Sequence, residues 1–260
     1  MILMLKNIIK NLRLIIAPNF FFIIFNKYKF IAKILSYIHW KTMLSSGDIV
    51  IQGGCDMGWK QTQRSGSNVF KISRIVGRNG KVYVIEPDIS NYEALIKYVK
   101  EKKLKNIVPI NKALWSNKTK LKFYIGKCSN DSQLACYLSE KNISIDKYWS
   151  TEYEIDTITL DDIKEKYKMN RIDFICLTIN GAEYEALQGA KEILNNFSPV
   201  YYIAADHKKV RPTINSNSYS DVLTKLLMKY NYKVYKDRKG WLIAEKFGLE
   251  MESYDDAPNL

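Results

Sequence analysis

Metal-binding and disulfide chemistry are what this sequence has least of. Its only two histidines, His39 and His207, and its four cysteines, Cys55, Cys128, Cys136 and Cys176, form no CxxC pair and no zinc-type ligand spacing. No metal site is therefore expected. The chain is also not the short, cysteine-dense framework of a secreted domain, so a reducing cytoplasm is the expected compartment. Its most apolar N-terminal run, Leu12 to Phe25, is interrupted by Arg13, Pro18 and Asn19. That run falls short of the ~20 residues a spanning helix needs. No small-residue cleavage site follows it, which argues against a secretory signal. Internal repeats, long linkers and a separate RNA-binding module are also missing, and the last of these argues against nucleic acid as a partner.

What is present suits one folded core. At 260 residues, 47% hydrophobic and 13% aromatic, the chain has room for a single sizeable α/β domain with a short appendage. Its 40 basic and 27 acidic residues give a formal charge of +13. Such a charge favours anionic partners such as nucleic acid, phospholipid headgroups or phosphorylated substrates. The lysines are spread along the chain, so an ordinary solvated basic surface is the favoured explanation of the charge. In residues 1–40, Lys6, Lys10, Arg13, Lys27, Lys29 and Lys33 flank aromatic and aliphatic side chains. One reading is a helical segment lying on an anionic membrane surface. The other is a pair of amphipathic helices, split at Ala17-Pro18-Asn19, packing on the main domain or on a second copy. The expected division is an N-terminal helical segment over 1–46, the α/β domain over 47–247 and a frayed tail over 248–260.

From Gly47 onward, short β-branched runs alternate with longer helical patterns, the signature of a parallel sheet with crossover helices. Strands are expected at Asp48 to Ile51, Lys81 to Ile85, Asn106 to Ile110, Arg171 to Leu177 and Val200 to Ala204. Helices are expected at Asn68 to Val76, Ser90 to Lys103, Ala182 to Leu194 and Tyr219 to Tyr230. Lys120 to Ile125 and Tyr153 to Ile158 break the alternation as strands around a polar loop, either a lid or a small extra hairpin. Lys233 to Tyr235 and Trp241 to Ala244 read as a closing antiparallel hairpin.

Ligands of open α/β sheets bind beyond the carboxyl ends of the strands, where the chain order reverses. After the first strand come Gly53-Gly54-Cys55-Asp56-Met57-Gly58, a turn whose glycines let backbone approach a bulky ligand. Glu86 closes the second strand, where a carboxylate can accept hydrogen bonds from both ribose hydroxyls of a nucleoside. The spacing Gly54-x-x-x-Gly58 is looser than the Gly-x-Gly-x-x-Gly of a dinucleotide site, as expected for a ligand without a pyrophosphate.

Five stretches in order resemble the FkbM-type family of S-adenosylmethionine-dependent methyltransferases. They are Ile51 to Asp56; Ile75 to Asp88 with Asn91 and Leu95; Asn111 to Leu114; Asp156 to Asp162; and Ile172 to Ile175 leading to Gly181-Ala182-Glu183 and Leu187 to Ala190. The resemblance implies a class I, Rossmann-like methyltransferase fold, a mostly parallel seven-stranded sheet with helices on both faces. It implies S-adenosyl-L-methionine as cofactor and methyl transfer to an oxygen, often on a sugar or glycan-like acceptor. Gly54 and Asp56 would line the methionine end of the cofactor, Glu86 would hold its ribose, and Asn111 and Ala113 would lie beside its adenine. Gly58 or Gly66 would serve as the second glycine, because the loop between Asp56 and Val69 is longer than usual. Lys60 and Arg64 in that loop either meet an anionic acceptor or are simply solvated.

Glu183 corresponds to a family glutamate opening the helix after the fourth strand and is a catalytic candidate. Helix-start electrostatics is its alternative. The chain departs from the family pattern at Gln52 and Thr178, where aspartates are usual. For a base that removes a hydroxyl proton, His207 beside Asp206 stands just after the fifth strand and titrates near neutral pH. His39 reads as structural. Two other functional classes stay open: a degenerate relative that binds the cofactor and serves as an interaction protein, and a methyltransferase acting on nucleic acid.

Overall fold

The computed structural model describes residues 43–57, 68–126, 133–134, 149–205, 218–236 and 241–246. His39, Gly58, Lys60, Arg64, Gly66, Asp206, His207, the tail over 248–260 and all but the last few residues of the 1–46 segment lie outside them.

In chain order the described elements are β1 (Ile49–Gly53), α1 (Asn68–Val76), β2 (Lys81–Ile85), α2 (Ile89–Glu101), β3 (Ile107–Ile110), β4 (Ala113–Leu114), β5 (Lys120–Gly126), β6 (Gln133–Leu134), β7 (Trp149–Ile158), α3 (Leu160–Lys166), β8 (Phe174–Leu177), α4 (Glu183–Gln188), α5 (Lys191–Asn196), β9 (Val200–Ile203), α6 (Tyr219–Met228), β10 (Tyr232–Lys236) and β11 (Leu242–Lys246). Seven strands form one sheet in the order β10-β11-β9-β8-β1-β2-β3. Strand β11 runs antiparallel to both of its neighbours, and every other pairing in the sheet is parallel.

The near-continuous apolar strands follow from burial on both faces. Successive side chains of a strand point to opposite sides. Val50, Val82, Val84, Phe174 and Cys176 therefore pack under α1 and α2 with Val69, Ile72, Val76 and Leu95. Ile51, Ile85, Ile175, Leu177, Tyr201 and Ile203 pack on the opposite face with Leu160, Ile163, Leu187, Ile193, Leu223 and Leu227 from α3 to α6. Each such side chain, taken fully from water, contributes about 1.5–3 kcal/mol.

The excursion after β3 is a second sheet of order β4-β7-β5-β6. Strands β5 and β7 pair antiparallel, with Lys120 opposite Asp156 and Lys122 opposite Glu154. Its inner face buries Ala113, Phe123 and Ile155 with Ala182, with Trp115, Leu121, Tyr153 and Ile179 partly buried around them. It thus bridges the exits of β3 and β8.

Two expectations need correction. The helix read over Ala182 to Leu194 is two helices, α4 and α5, parted at Gly189-Ala190. Gly189 meets a neighbouring segment backbone to backbone. A Cβ there would stand 2.4 Å from the Trp115 carbonyl oxygen, and Asp161 N–H donates to the Gly189 carbonyl at 3.1 Å. The other correction is α3, which periodicity does not reveal because it spans under two turns. Its signal is the cap, Thr159 accepting from Asp162 N–H while Asp162 accepts from Thr159 N–H.

No helix among the described residues is long and apolar enough to cross a membrane.

Candidate active site

The register of the parallel strands places the site. Gly53 stands opposite Ile85 and Leu177, Ile85 opposite Ile110, and Leu177 opposite Ile203. The residues that follow, Asn111, Glu86, Gly54, Thr178 and Ala204, therefore exit the sheet in one row along its carboxyl edge. The chain order reverses between β1 and β8, so this row crosses the crevice where such sheets take their ligands. Three of the residues expected at the cofactor, Gly54, Glu86 and Asn111, stand in it.

Glu86 is buried, 5% exposed, and its carboxylate is fixed by backbone. Cys55 N–H donates to Oε2 at 2.6 Å and Asp88 N–H donates to Oε1 at 2.8 Å. Those bonds tie the end of β2 to the turn after β1. Gly54 N–H adds a bond to the Ile85 carbonyl at 2.9 Å, and Met57 N–H one to Asn91 Oδ1 at 3.3 Å. Burial pushes the Glu86 carboxyl up to about 8; the two amides pull the other way, and the charges of Asp88 and Asp56 add to the rise. An ionised carboxylate offers about four lone-pair sites, so one remains on each oxygen after the amides are served.

Gly54 is required for a reason its sequence does not show. Its φ is +82°, and a Cβ there would lie 2.2 Å from the Thr178 carbonyl oxygen. The missing side chain is demanded by the exit of β8, against which the turn closes. Asp56 is partly buried near Glu86. Asn111 Nδ2 donates to the carbonyls of Glu86 (2.9 Å) and Pro87 (3.3 Å), so it braces the same turn. The Ala113 side chain points into the inner face of the second sheet.

Glu183 sits at the start of α4, 0% exposed. Its Oε1 accepts from Ile179 N–H and its Oε2 from Gly181 N–H, each at 3.0 Å. The Tyr219 hydroxyl stands 3.0 Å from Oε2 and 2.8 Å from the Gly181 carbonyl, and it accepts from Tyr184 N–H at 3.1 Å. The carboxylate thus holds the turn Thr178 to Ala182, where Asn180 takes a left-handed φ of +53°, and pins it to α6. His207, Gly58 and Gly66 lie outside the described residues.

Sequence reasoning missed Tyr153. Its hydroxyl donates to the Pro87 carbonyl and accepts from Ile89 N–H at 3.1 Å, latching β7 to the turn that carries Glu86. The partners are more than 60 residues apart, and no local pattern announces such a contact. Asp88 caps α2 by accepting from Ser90 N–H (2.9 Å) and Asn91 N–H (3.3 Å), a role the sequence analysis did not assign to it. Among the described residues no group of three or more His, Cys, Asp or Glu side chains is placed to hold a metal ion.

A doubly wound sheet with one reversed strand, a glycine turn at its switch point and a buried carboxylate closing the neighbouring strand define a Rossmann-like nucleoside-binding domain. The particular kind is a methyltransferase: the chain belongs to the family of the methyltransferase FkbM domain, whose model matches residues 58–234. The matched range takes in Glu86, Asn111, Ala113, Glu183 and His207 and begins after Gly54 and Asp56. No curated protein matches the chain in sequence. Solved structures similar to it include a SAM-dependent methyltransferase from Aquifex aeolicus, at 15% identity over 81% of this chain and 87% of that one, with a TM-score of 0.44. Aeropyrum pernix fibrillarin with natively bound S-adenosyl-L-methionine is similar at 14% identity over 77% and 66%, TM-score 0.42. A SAM-dependent O-methyltransferase from Thermotoga maritima is similar at 15% identity over 85% and 67%, TM-score 0.39.

The cofactor is S-adenosylmethionine, and the row fits it. Glu86 keeps one acceptor site on each oxygen, a pair that two neighbouring hydroxyl donors could fill.

Proposed function

We propose that this methyltransferase transfers the methyl group to a hydroxyl oxygen of a sugar, a glycan or another small hydroxylated acceptor. The row Asn111, Glu86, Gly54, Thr178 at the switch point is the observation that carries the cofactor half of this reading. The acceptor class comes from the family resemblance.

S-adenosylmethionine supplies a methyl group already activated on a sulfonium, so the protein has chiefly to align an oxygen with that carbon and keep water out. In our reading Glu86 holds the ribose, and Gly54 and Asp56 line the methionine end. Asn111 supports the turn beside the adenine. With the cofactor bound, an acceptor oxygen aligned with the methyl carbon would receive the methyl group, the sulfur would leave as the thioether of S-adenosylhomocysteine, and His207 would take up the hydroxyl proton. That histidine lies four residues beyond the end of β9, whose next residue Ala204 is in the row. Full turnover by His207→Ala would remove it from this role.

Glu183 we assign to positioning. A carboxylate enclosed by two amides and a tyrosine hydroxyl shapes the turn after β8 and does not face an acceptor. Glu183→Ala leaves buried donors unpaired, so thermal unfolding should report a loss of about 2 kcal/mol. Lost turnover with unchanged melting would make Glu183 catalytic instead. For Tyr153→Phe, which frees the Glu86 turn on one side, calorimetry should show S-adenosylmethionine binding weakened about fivefold with the fold intact.

The acceptor is tested with methyl-labelled S-adenosylmethionine and fractionated cell extract. Label in material destroyed by glycosidases supports the proposal. Label lost on nuclease treatment would move the acceptor to nucleic acid. Cofactor binding with no labelled product in any fraction would make the protein a binder without catalysis.

A further inference from the structure

Gln52 and Thr178, the two places where this chain departs from the aspartates expected by resemblance, touch each other. Gln52 projects from β1 towards the α1 and α2 face and is 1% exposed, with Cys176 as its cross-strand partner. Its Nε2 lies 2.9 Å from the Gly53 carbonyl, 3.0 Å from the Gly54 carbonyl and 3.3 Å from Thr178 Oγ1. The Thr178 hydroxyl donates to the Gly53 carbonyl at 3.0 Å, and Thr178 N–H donates to the same oxygen at 3.0 Å. The Thr178 carbonyl in turn closes on Gly54.

The spot where β1 and β8 leave the sheet is therefore crowded with carbonyl oxygens, and it calls for donors. An ionised aspartate offers only acceptors. Aspartates at both positions would also set two carboxylates side by side, where at most one ionises readily. An amide and a hydroxyl supply the missing donors without charge. We infer that Gln52 and Thr178 act as one neutral positioning pair, which fixes the Gly53-Gly54 turn for S-adenosylmethionine by donating to its carbonyls. Gln52 Oε1 is buried with no geometric partner. The adjacent Cys176 thiol is pushed up to about 12 by burial, with the Gln52 amide pulling the other way, and stays protonated.

This inference rests on the cofactor site described above, and the test separates the two. S-adenosylmethionine affinity is measured by calorimetry on the full chain for the parent, Gln52→Glu, Thr178→Val and Thr178→Ser, with melting curves for each. If the parent fails to bind, the site itself is wrong. Given parental binding, Gln52→Glu should bind about tenfold more weakly than the parent at high pH, where its carboxylate can only accept. The ratio to the parent should close towards one near pH 5, where the protonated acid again donates. Thr178→Val should show the weakening at every pH, and Thr178→Ser should restore parental affinity, which keeps the test open should Gln52→Glu not fold. Parental affinity in both Gln52→Glu and Thr178→Val, or a Gln52→Glu defect that does not change with pH, would overturn the inference.

Discussion

Glu86→Ala should weaken S-adenosylmethionine binding by at least about 100-fold, because in the proposed site it would remove two ribose hydrogen bonds to a charged acceptor, each contributing about 1.5–3 kcal/mol. Titration calorimetry on the full chain reads this directly. Affinity within error of the parent would show that the ribose lies elsewhere. The same residue predicts a pH dependence whose sign is fixed by its environment. Folding raises the carboxyl from its ordinary 4.5 to about 8. Between those values the folded protein keeps a proton that the unfolded chain has released, so stability falls as pH rises through that window. The shift corresponds to roughly 4–5 kcal/mol, lost in full above about pH 8. Cofactor binding runs the other way. In the proposed site the ribose hydroxyls would donate to the ionised form, so binding would expel the proton and affinity should climb up to about pH 8. Glu86→Gln should flatten the stability profile and bind weakly throughout. A parental melting profile with no such slope would contradict the buried carboxyl.

Gly54→Ala should be nearly as damaging, and for a different reason. The new methyl group would stand 2.2 Å from the Thr178 carbonyl oxygen, at a backbone φ of +82° that L side chains rarely adopt. Backbone cannot yield there without parting β1 from β8, whose ends are joined by the Thr178 N–H bond to the Gly53 carbonyl. A loss of about 3–5 kcal/mol is expected, a melting point lower by roughly 10 °C, and cofactor binding lost with it. Parental melting would mean that the turn and the β8 exit do not approach as closely as the structure has them.

These two residues also show what a sequence can carry. The places of Glu86 and Gly54 were legible because they rest on short-range signals, a glycine turn after one apolar run and an acid closing the next. Parallel register then placed them in one row. The reason for Gly54 was not legible, since the oxygen it makes room for belongs to Thr178, 124 positions further along the chain. Tyr153 was hidden for the same reason. Gln52 and Thr178 read as two separate losses until the β1–β8 pairing brought them into contact. Glu183 was open between helix-start electrostatics and catalysis. Its partners Ile179 and Gly181 are local, but Tyr219 and full burial are tertiary facts. The α4–α5 break was missed because Gly189 looks like any helix interruption until Trp115 arrives against it.

A structure of the full chain with S-adenosylhomocysteine bound tests the central claim most directly. The ribose hydroxyls should lie on the Glu86 carboxylate while Cys55 and Asp88 keep their amide bonds to it, with the amino-acid end against Gly54 and Asp56. A nucleoside seated anywhere else, or a Glu86 that never meets the ribose, would contradict the site.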